Sequence, residues 1–336
     1  MNADQPSPVR ASLGRGAASG AASAIVAALS FAAAHAAVAY SSYFGLAEPV
    51  ARALDAVTGL LGLPGEALIV LFFSVFFNLF AAIGALVAFG LSGAELSVVA
   101  LMCLVAHNVA YEAAFMRKTG SSAAKMALMR VGWAVGLAWL IGLVRGDRVP
   151  VIAELPGLGW FVQAVGSVGG EGGGASALAA ATDAAAFTRA WLGEIGLRLA
   201  IYAPLVFLAR MLRAMATASG LYFAAAKLAE PFMPVFGLPR REGLAWALAV
   251  GAGYRPASGV LDQRIRDGAM KKQDADLFNH YAALCHGLLE DTVYLALAGA
   301  SIPLMLLARL LAGPVVVWFE RARRSRFRRS FKVGTA

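Results

Sequence analysis

The amino-acid sequence predicts an all-α, polytopic helical membrane protein with two inverted-topology halves and broken or re-entrant helices. Three observations carry that expectation. Of 336 residues, 60% are hydrophobic and 15% charged, with a mean hydropathy of +0.69, so charged groups are about half as frequent as in soluble domains. The hydrophobic residues gather in runs close to the ~20 residues that a helix needs to cross a bilayer. The few ionisable side chains inside those runs fall into two related motifs. A water-soluble globule and a disordered chain are excluded on these numbers. The two cysteines, Cys103 and Cys285, lie inside apolar runs and read as small buried groups rather than a disulfide framework.

Taken in order, residues 1–20 are rich in Gly, Ser and Ala and read as a flexible N-terminus. An apolar run from Ala21 to Phe44 follows. Its Ala37, Val38 and Ala39 would pass as a signal-peptide cleavage site, but the run is long and the rest of the chain is membrane-like, which favours an uncleaved span. Six more candidate spans run from Glu66 to Leu91, Leu96 to Met116, Ala123 to Val144, Trp191 to Leu212, Leu277 to Ala300 and Ile302 to Phe319. Residues 21–145 form a first membrane half and 188–319 a second. Between them, residues 146–187 include GSVGGEGGGAS, a composition that suits a flexible connection.

Two stretches are apolar but interrupted. Leu221 to Leu238 carries Lys227, Glu230, Pro231 and Pro234, and Gly243 to Leu261 carries GAGYRPASG. Glycine and proline there predict broken or re-entrant helices, a backbone tolerated at membrane depth only where protein or a water-filled cavity satisfies it. Much of the net charge of +9 sits in residues 320–336, in Arg321, Arg323, Arg324, Arg326, Arg328, Arg329 and Lys332. A basic cluster directly after an apolar span predicts a cytoplasmic C-terminus at the inner membrane and contact with anionic lipid headgroups. Nucleic acid is not an expected partner, because no aromatic or folded platform accompanies the tail.

The two motifs read AHNVAYEAAF around His107 and CHGLLEDTVY around His286. In register, His107 meets His286, Glu112 meets Asp291 and Phe115 meets Tyr294, a pattern that predicts an internal repeat. Arg117, Lys118, Lys125 and Arg130 follow the first motif, whereas Arg264, Arg266, Lys271 and Lys272 precede the second. If basic ends face the cytoplasm, the two motif helices run in opposite directions, as in inverted-repeat transporters with a midplane site. His286 and Glu290 are four apart and expected on one helix face, with Asp291 one step round; Asn108 and Glu112 have the same spacing. Because carboxylates are costly in hydrocarbon, each is expected to face the bundle interior with a partner. Candidate solute- or ion-binding residues are therefore His107, Asn108, Glu112, His286, Glu290 and Asp291. Should a metal bind, His286, Glu290 and Asp291 suit a first-row divalent ion, but one helix offers too few ligands. His35 and His280 are read as structural, without an acidic neighbour at helical spacing. Asn78 could line a cavity or bond across helices.

The segments AHNVAYEAAFMRKTG and ALCHGLLEDTVYLALAGA, the latter preceded by VGAGYRPASGVLDQRI, resemble bacterial membrane proteins carrying the Gate domain, also called the nucleoside-recognition domain. That grouping includes spore maturation membrane proteins, nucleoside transporters and the membrane part of ferrous iron transporters, and the resemblance covers most of residues 66 to 300. It implies transport without naming a substrate. GAGYRPASG is similar to the glycine-proline segment of the iron transporters, but Tyr254 and Arg255 stand where a cysteine is common. Arg255 would repel a metal ion and attract an anion, which adds it to the candidate site. No G-x-x-x-x-G-K-[ST] phosphate loop is present.

The expected function is permeation of a small polar solute or ion through a midplane site between the two halves, with the lipid bilayer as the second partner. No cofactor is implied. The alternative is a non-transporting scaffold or sensor whose intramembrane polar groups lock helices together. An enzyme is not expected, since neither Ser258 nor Cys285 beside His286 sits in a known nucleophile motif. A homo-oligomer is compatible with the sequence and not indicated by it.

Overall fold

The longest apolar runs fold as helices, and a computed structural model describes them over residues 8–91, 93–144, 178 and 180–333. The regular structure among these residues is helical throughout. Helix α1 spans Pro8–Tyr43, α2 Ala47–Thr58, α3 Glu66–Phe76, α4 Leu79–Ala88, α5 Gly93–Ala106, α6 Val109–Lys118 and α7 Ala123–Val144. In the later part of the chain, α8 spans Ala184–Ala218, α9 Leu221–Ala229, α10 Gly243–Ala252, α11 Tyr254–Arg266, α12 Lys272–Cys285, α13 Glu290–Ala296 and α14 Ile302–Val333. Five stretches are long and apolar enough to cross a membrane: Leu13–Tyr43, Gly93–Lys118, Ala123–Leu143, Ala184–Ala218 and Ile302–Arg326.

Burial separates these stretches into two kinds. The α5–α6 stretch is 72% buried over its most apolar window, against 17% for α8. The outer face of α8 exposes Leu192, Leu197, Leu208 and Leu212, and that of α14 exposes Leu307, Leu311, Val315 and Phe319. Water would not tolerate such rows of large apolar groups, whereas acyl chains would. The chain is a polytopic helical membrane protein.

Three segments expected to be irregular or flanking can be compared with the structure. Within the N-terminus expected to be flexible over residues 1–20, the residues from Pro8 onward are helical. The basic C-terminal segment continues α14 as helix through Val333. Most of the Gly/Ala-rich connection, residues 146–177 and 179, lies outside the described residues, and residues 184–187 already belong to α8.

The chain divides into two compact units. The first holds the residues up to Asn108, with Ala134–Ala218 and Asp291–Met305. Its frame is α1 packed along α8 and α4. Gly84 of α4 lies against the Phe31 carbonyl of α1, where any Cβ would collide, the close backbone approach that small residues permit between membrane helices. Tyr40 donates to Thr188 Oγ1 at 2.9 Å and the Trp191 indole N–H donates to His35 Nδ1 at 3.0 Å, both between α1 and α8. His35 is thus a structural histidine, with Glu194 at 3.7 Å from its Nε2. Between α2 and α3 the chain bends by 89°, held by the Gly65 N–H on Asp55 Oδ1.

The second unit holds Val109–Trp133, Ser219–Glu290 and the chain from Leu306. Here α10 packs on α9, α11 and α12, and α11 packs on α6. A buried polar network ties the α6–α7 turn to α11 and α12. Tyr254 donates to Asn279 Oδ1 at 2.6 Å, and the Asn279 amide donates to Thr119 Oγ1 and Ser121 Oγ, both at 2.8 Å. With each member satisfied, such a network fixes one arrangement of the helices it joins.

Candidate functional site

Four helices break in their middle, and the breaks come in two sets. In the first half, α3 gives way to α4 at Phe77 and Asn78, then α5 gives way to α6 at His107 and Asn108. In the second half, α10 gives way to α11 at Gly253, then α12 gives way to α13 across residues 286–289. The causes are local. Gly253 has φ 88° and ψ 172°, a region essentially reserved for glycine. Pro256 cannot donate to a helical carbonyl, so the helix restarts at Tyr254 and places the proline in its first turn, where no donor is needed. Asn78 caps α4 by accepting the Ala81 N–H at 3.0 Å, and its amide donates to Ser30 Oγ at 2.9 Å. It is a cap and a cross-helix tie rather than a cavity-lining group.

The histidine of each motif stops its helix, and the next residue is left-handed: Asn108 has φ 48° and Gly287 has φ 57°. Asparagine and glycine are the residues that adopt this region most readily. The Asn108 N–H donates to the Ser74 carbonyl at 2.9 Å, and the Gly287 N–H donates to the Ala249 carbonyl at 2.8 Å. Ser74 lies four residues before Asn78 and Ala249 four before Gly253. Within each unit, then, the histidine break is stitched to the same place on the broken helix that precedes it. The two histidines also fold alike. Nδ1 of His107 lies 2.9 Å from the Leu104 carbonyl, and Nδ1 of His286 lies 2.8 Å from the Ala282 carbonyl. A carbonyl only accepts, so in both rings Nδ1 carries a proton and Nε2 is the working atom.

In the first unit, His107 Nε2 stands 3.9 Å from Asp291 Oδ2. In the second, His286 Nε2 stands 2.9 Å from Glu112 Oε1, and Glu112 Oε2 stands 2.5 Å from Arg130 Nη1. All three are buried, Arg130 wholly so. With Nδ1 already protonated, the close approach of Nε2 to a carboxylate oxygen requires one further proton between them. A protonated imidazole on one side and the Arg130 guanidinium on the other suit a carboxylate that stays charged in a dry interior.

The structure revises several expectations. His286 and Glu290 do not share a face of one helix, because residues 286–289 are a turn and Glu290 opens α13. Glu112 rather than Glu290 meets His286. Arg255 is exposed on α11, whereas its neighbour Tyr254 is buried, its ring roughly perpendicular to that of His286. Asp276, one turn before His280, is the acidic neighbour that the sequence reading overlooked.

Two buried arginines were also missed. Arg130 stands inside the apolar run 123–144, where sequence alone shows a charge flanking the first motif. Arg309 lies inside the last apolar run, and its guanidinium donates to the Leu284 carbonyl at 2.8 Å and to the His286 carbonyl. It thereby closes the C-terminus of α12, whose last carbonyls have no helical partner. The signal was available, since a lone cation within an apolar span is itself a reason to suspect a buried partner.

Broken helices carrying buried histidine–carboxylate contacts define a class of polytopic membrane protein with a polar interior. Among known proteins, the chain is 27% identical over 266 residues to the uncharacterized membrane protein YvoD of Bacillus subtilis (strain 168), covering 77% of this chain and 78% of that protein. No family model matches the chain, and no solved structure does.

Proposed function

We propose that the protein moves a small polar solute or ion across the membrane, with the paired helix breaks as the place where the solute is handled. The observation that carries this reading is the recurrence of the stitched break, Asn108 on Ser74 and Gly287 on Ala249, each beside a buried histidine. Broken helices at matching places in two halves mark the binding region of inverted-repeat transporters. The opposed basic flanks of the two motifs and the resemblance to Gate-domain proteins support the same reading, and the basic end of α14 supports a cytoplasmic C-terminus. In this reading the solute-handling groups are His107 and Asp291 in the first unit and Glu112 and His286 in the second, Asn108 shapes the break, and Arg255 takes no part. No covalent chemistry is assigned to the chain.

The experiment is thermal stability of the purified protein in detergent against nucleosides, small organic anions and monovalent cations, followed by uptake of any hit into proteoliposomes. A ligand at a hundredfold excess over its Kd stabilises the folded state by about 2.7 kcal/mol. We expect one class to stabilise the wild type, to lose that effect in Glu112→Gln, and to be taken up only by wild-type vesicles. Loss of stability in Glu112→Gln with no ligand response in the wild type would favour a scaffold whose polar groups serve packing alone.

A further inference from the structure

Away from the breaks, the second unit carries another group of titratable side chains. Asp276 and His280 lie one turn apart on α12, and both approach Glu320 of α14. His280 is 1% exposed. Its Nδ1 lies 2.6 Å from the Asp276 carbonyl oxygen, so Nδ1 carries the proton and Nε2 presents a lone pair. Nε2 makes no hydrogen bond and stands 3.9 Å from Glu320 Oε2. A buried acceptor left in that state calls for an explanation.

We propose that Asp276, His280 and Glu320 bind one first-row divalent cation, separate from the solute path. One donor atom from each lies within 4.8 Å of the others. An ion with bonds near ~2.1 Å holds its donors roughly 3.4 Å apart, so the side chains close by at most about 1.4 Å on binding. Imidazole with two carboxylates suits zinc or manganese, and excludes neither, whereas magnesium prefers oxygen and water alone. The outer contacts that orient ligands are in place: the Nδ1–H on a backbone carbonyl, and Ser121 Oγ donating to Asp276 Oδ1 at 2.5 Å. An entry route is present as a cleft of ≈ 350 Å³ whose walls include Lys272, Asp276, Glu320, Arg323 and Arg324.

Basic side chains contact the carboxylates. Lys125 Nζ lies 3.0 Å from Glu320, Arg323 binds Glu320 in a fork, and Arg324 reaches both Glu320 and Asp276. Their side chains are 37%, 54% and 27% exposed, so they can swing into solvent when a metal takes their place. None of them donates to His280 Nε2, which is left without a hydrogen bond. This competition gives the proposal its sharpest signature.

Tag-free protein in detergent, stripped with a chelator, is titrated with Zn²⁺, Mn²⁺ and Mg²⁺, and bound metal is counted per chain. We expect one Zn²⁺ or Mn²⁺ per chain with a rise in Tm, and no response to Mg²⁺. His280→Ala should weaken binding by more than about 100-fold, Arg323→Ala should tighten it severalfold, and Arg255→Ala, at an exposed position outside both sites, should bind as the wild type does. Absence of stoichiometric binding to the wild type, or equal binding by His280→Ala, overturns the site. If His280→Ala does not fold, Arg323→Ala decides: unchanged or weaker binding overturns it too.

Discussion

Replacing Arg309 with methionine keeps most of the side-chain volume and removes the guanidinium that closes α12. Two buried carbonyls, those of Leu284 and His286, then lose a charged donor. Leaving them unsatisfied costs about 1–3 kcal/mol each, and no longer burying a cation returns part of that. A net loss of about 3 kcal/mol raises the population of the locally opened break on the order of 100-fold. Cys285 reports that opening. It is fully buried, and its thiol donates to the Arg309 carbonyl at 2.8 Å. In a Cys103→Ala background, maleimide labelling at fixed pH should run about 100-fold faster in Arg309→Met than in its parent, if opening is fast relative to the reaction. Arg309→Lys, a single compact donor group in place of a planar fork, should fall between them. Equal labelling rates and equal Tm in the parent and Arg309→Met would refute the argument that this arginine closes the helix.

Two other changes probe different parts of the same frame. Asn108→Gly should be tolerated, while Asn108→Val should lower Tm by the equivalent of about 1–2 kcal/mol, because a β-branched residue resists the left-handed backbone that the stitch to Ser74 requires; thermal melts in detergent compare them. Glu242, buried in the turn before α10, has its carboxyl pushed above the usual range by burial, with Arg264 and Arg241 opposing the shift. A raised folded-state value means that its favourable contribution is present below the unfolded pKa and is lost as pH rises through the folded one. Glu242→Gln should therefore gain stability relative to the wild type as pH rises above the ordinary carboxylate range, and a difference between the two that stays flat across a pH series of melts would count against it.

The sequence showed where helices would be and, in part, where they would fail. Long apolar runs gave α1, α7, α8 and α14 because length and hydropathy are properties of a segment by itself. The break at Gly253 was legible for the same reason, since glycine and Pro256 act on their own backbone. Asn78 was not, because what makes it a break is a cap on α4 combined with a bond to Ser30 on a distant helix. The pairing of His286 failed more instructively. Spacing arithmetic assumes a continuous helix, and the histidine is where the helix ends, so its carboxylate partner comes from α6 instead of from the next turn. The dipeptides His107-Asn108 and His286-Gly287 carried the better signal, a left-handed residue after each histidine, which similarity of side chains alone does not display.

The two interior arginines also bear on how such a chain could be assembled in a membrane. Arg130 pairs with Glu112, and Arg309 with carbonyls 25 and 23 residues before it. Each cation therefore meets its acceptor on a segment that was synthesised earlier. A nascent chain entering lipid from its N-terminus can deliver either arginine as part of a hairpin whose charge or dipole is already matched, so neither must wait in hydrocarbon for a later helix. Cutting the gene between residues 118 and 123 and expressing the pieces separately would break that order at the first hairpin, stranding Glu112 and Arg130 on different polypeptides.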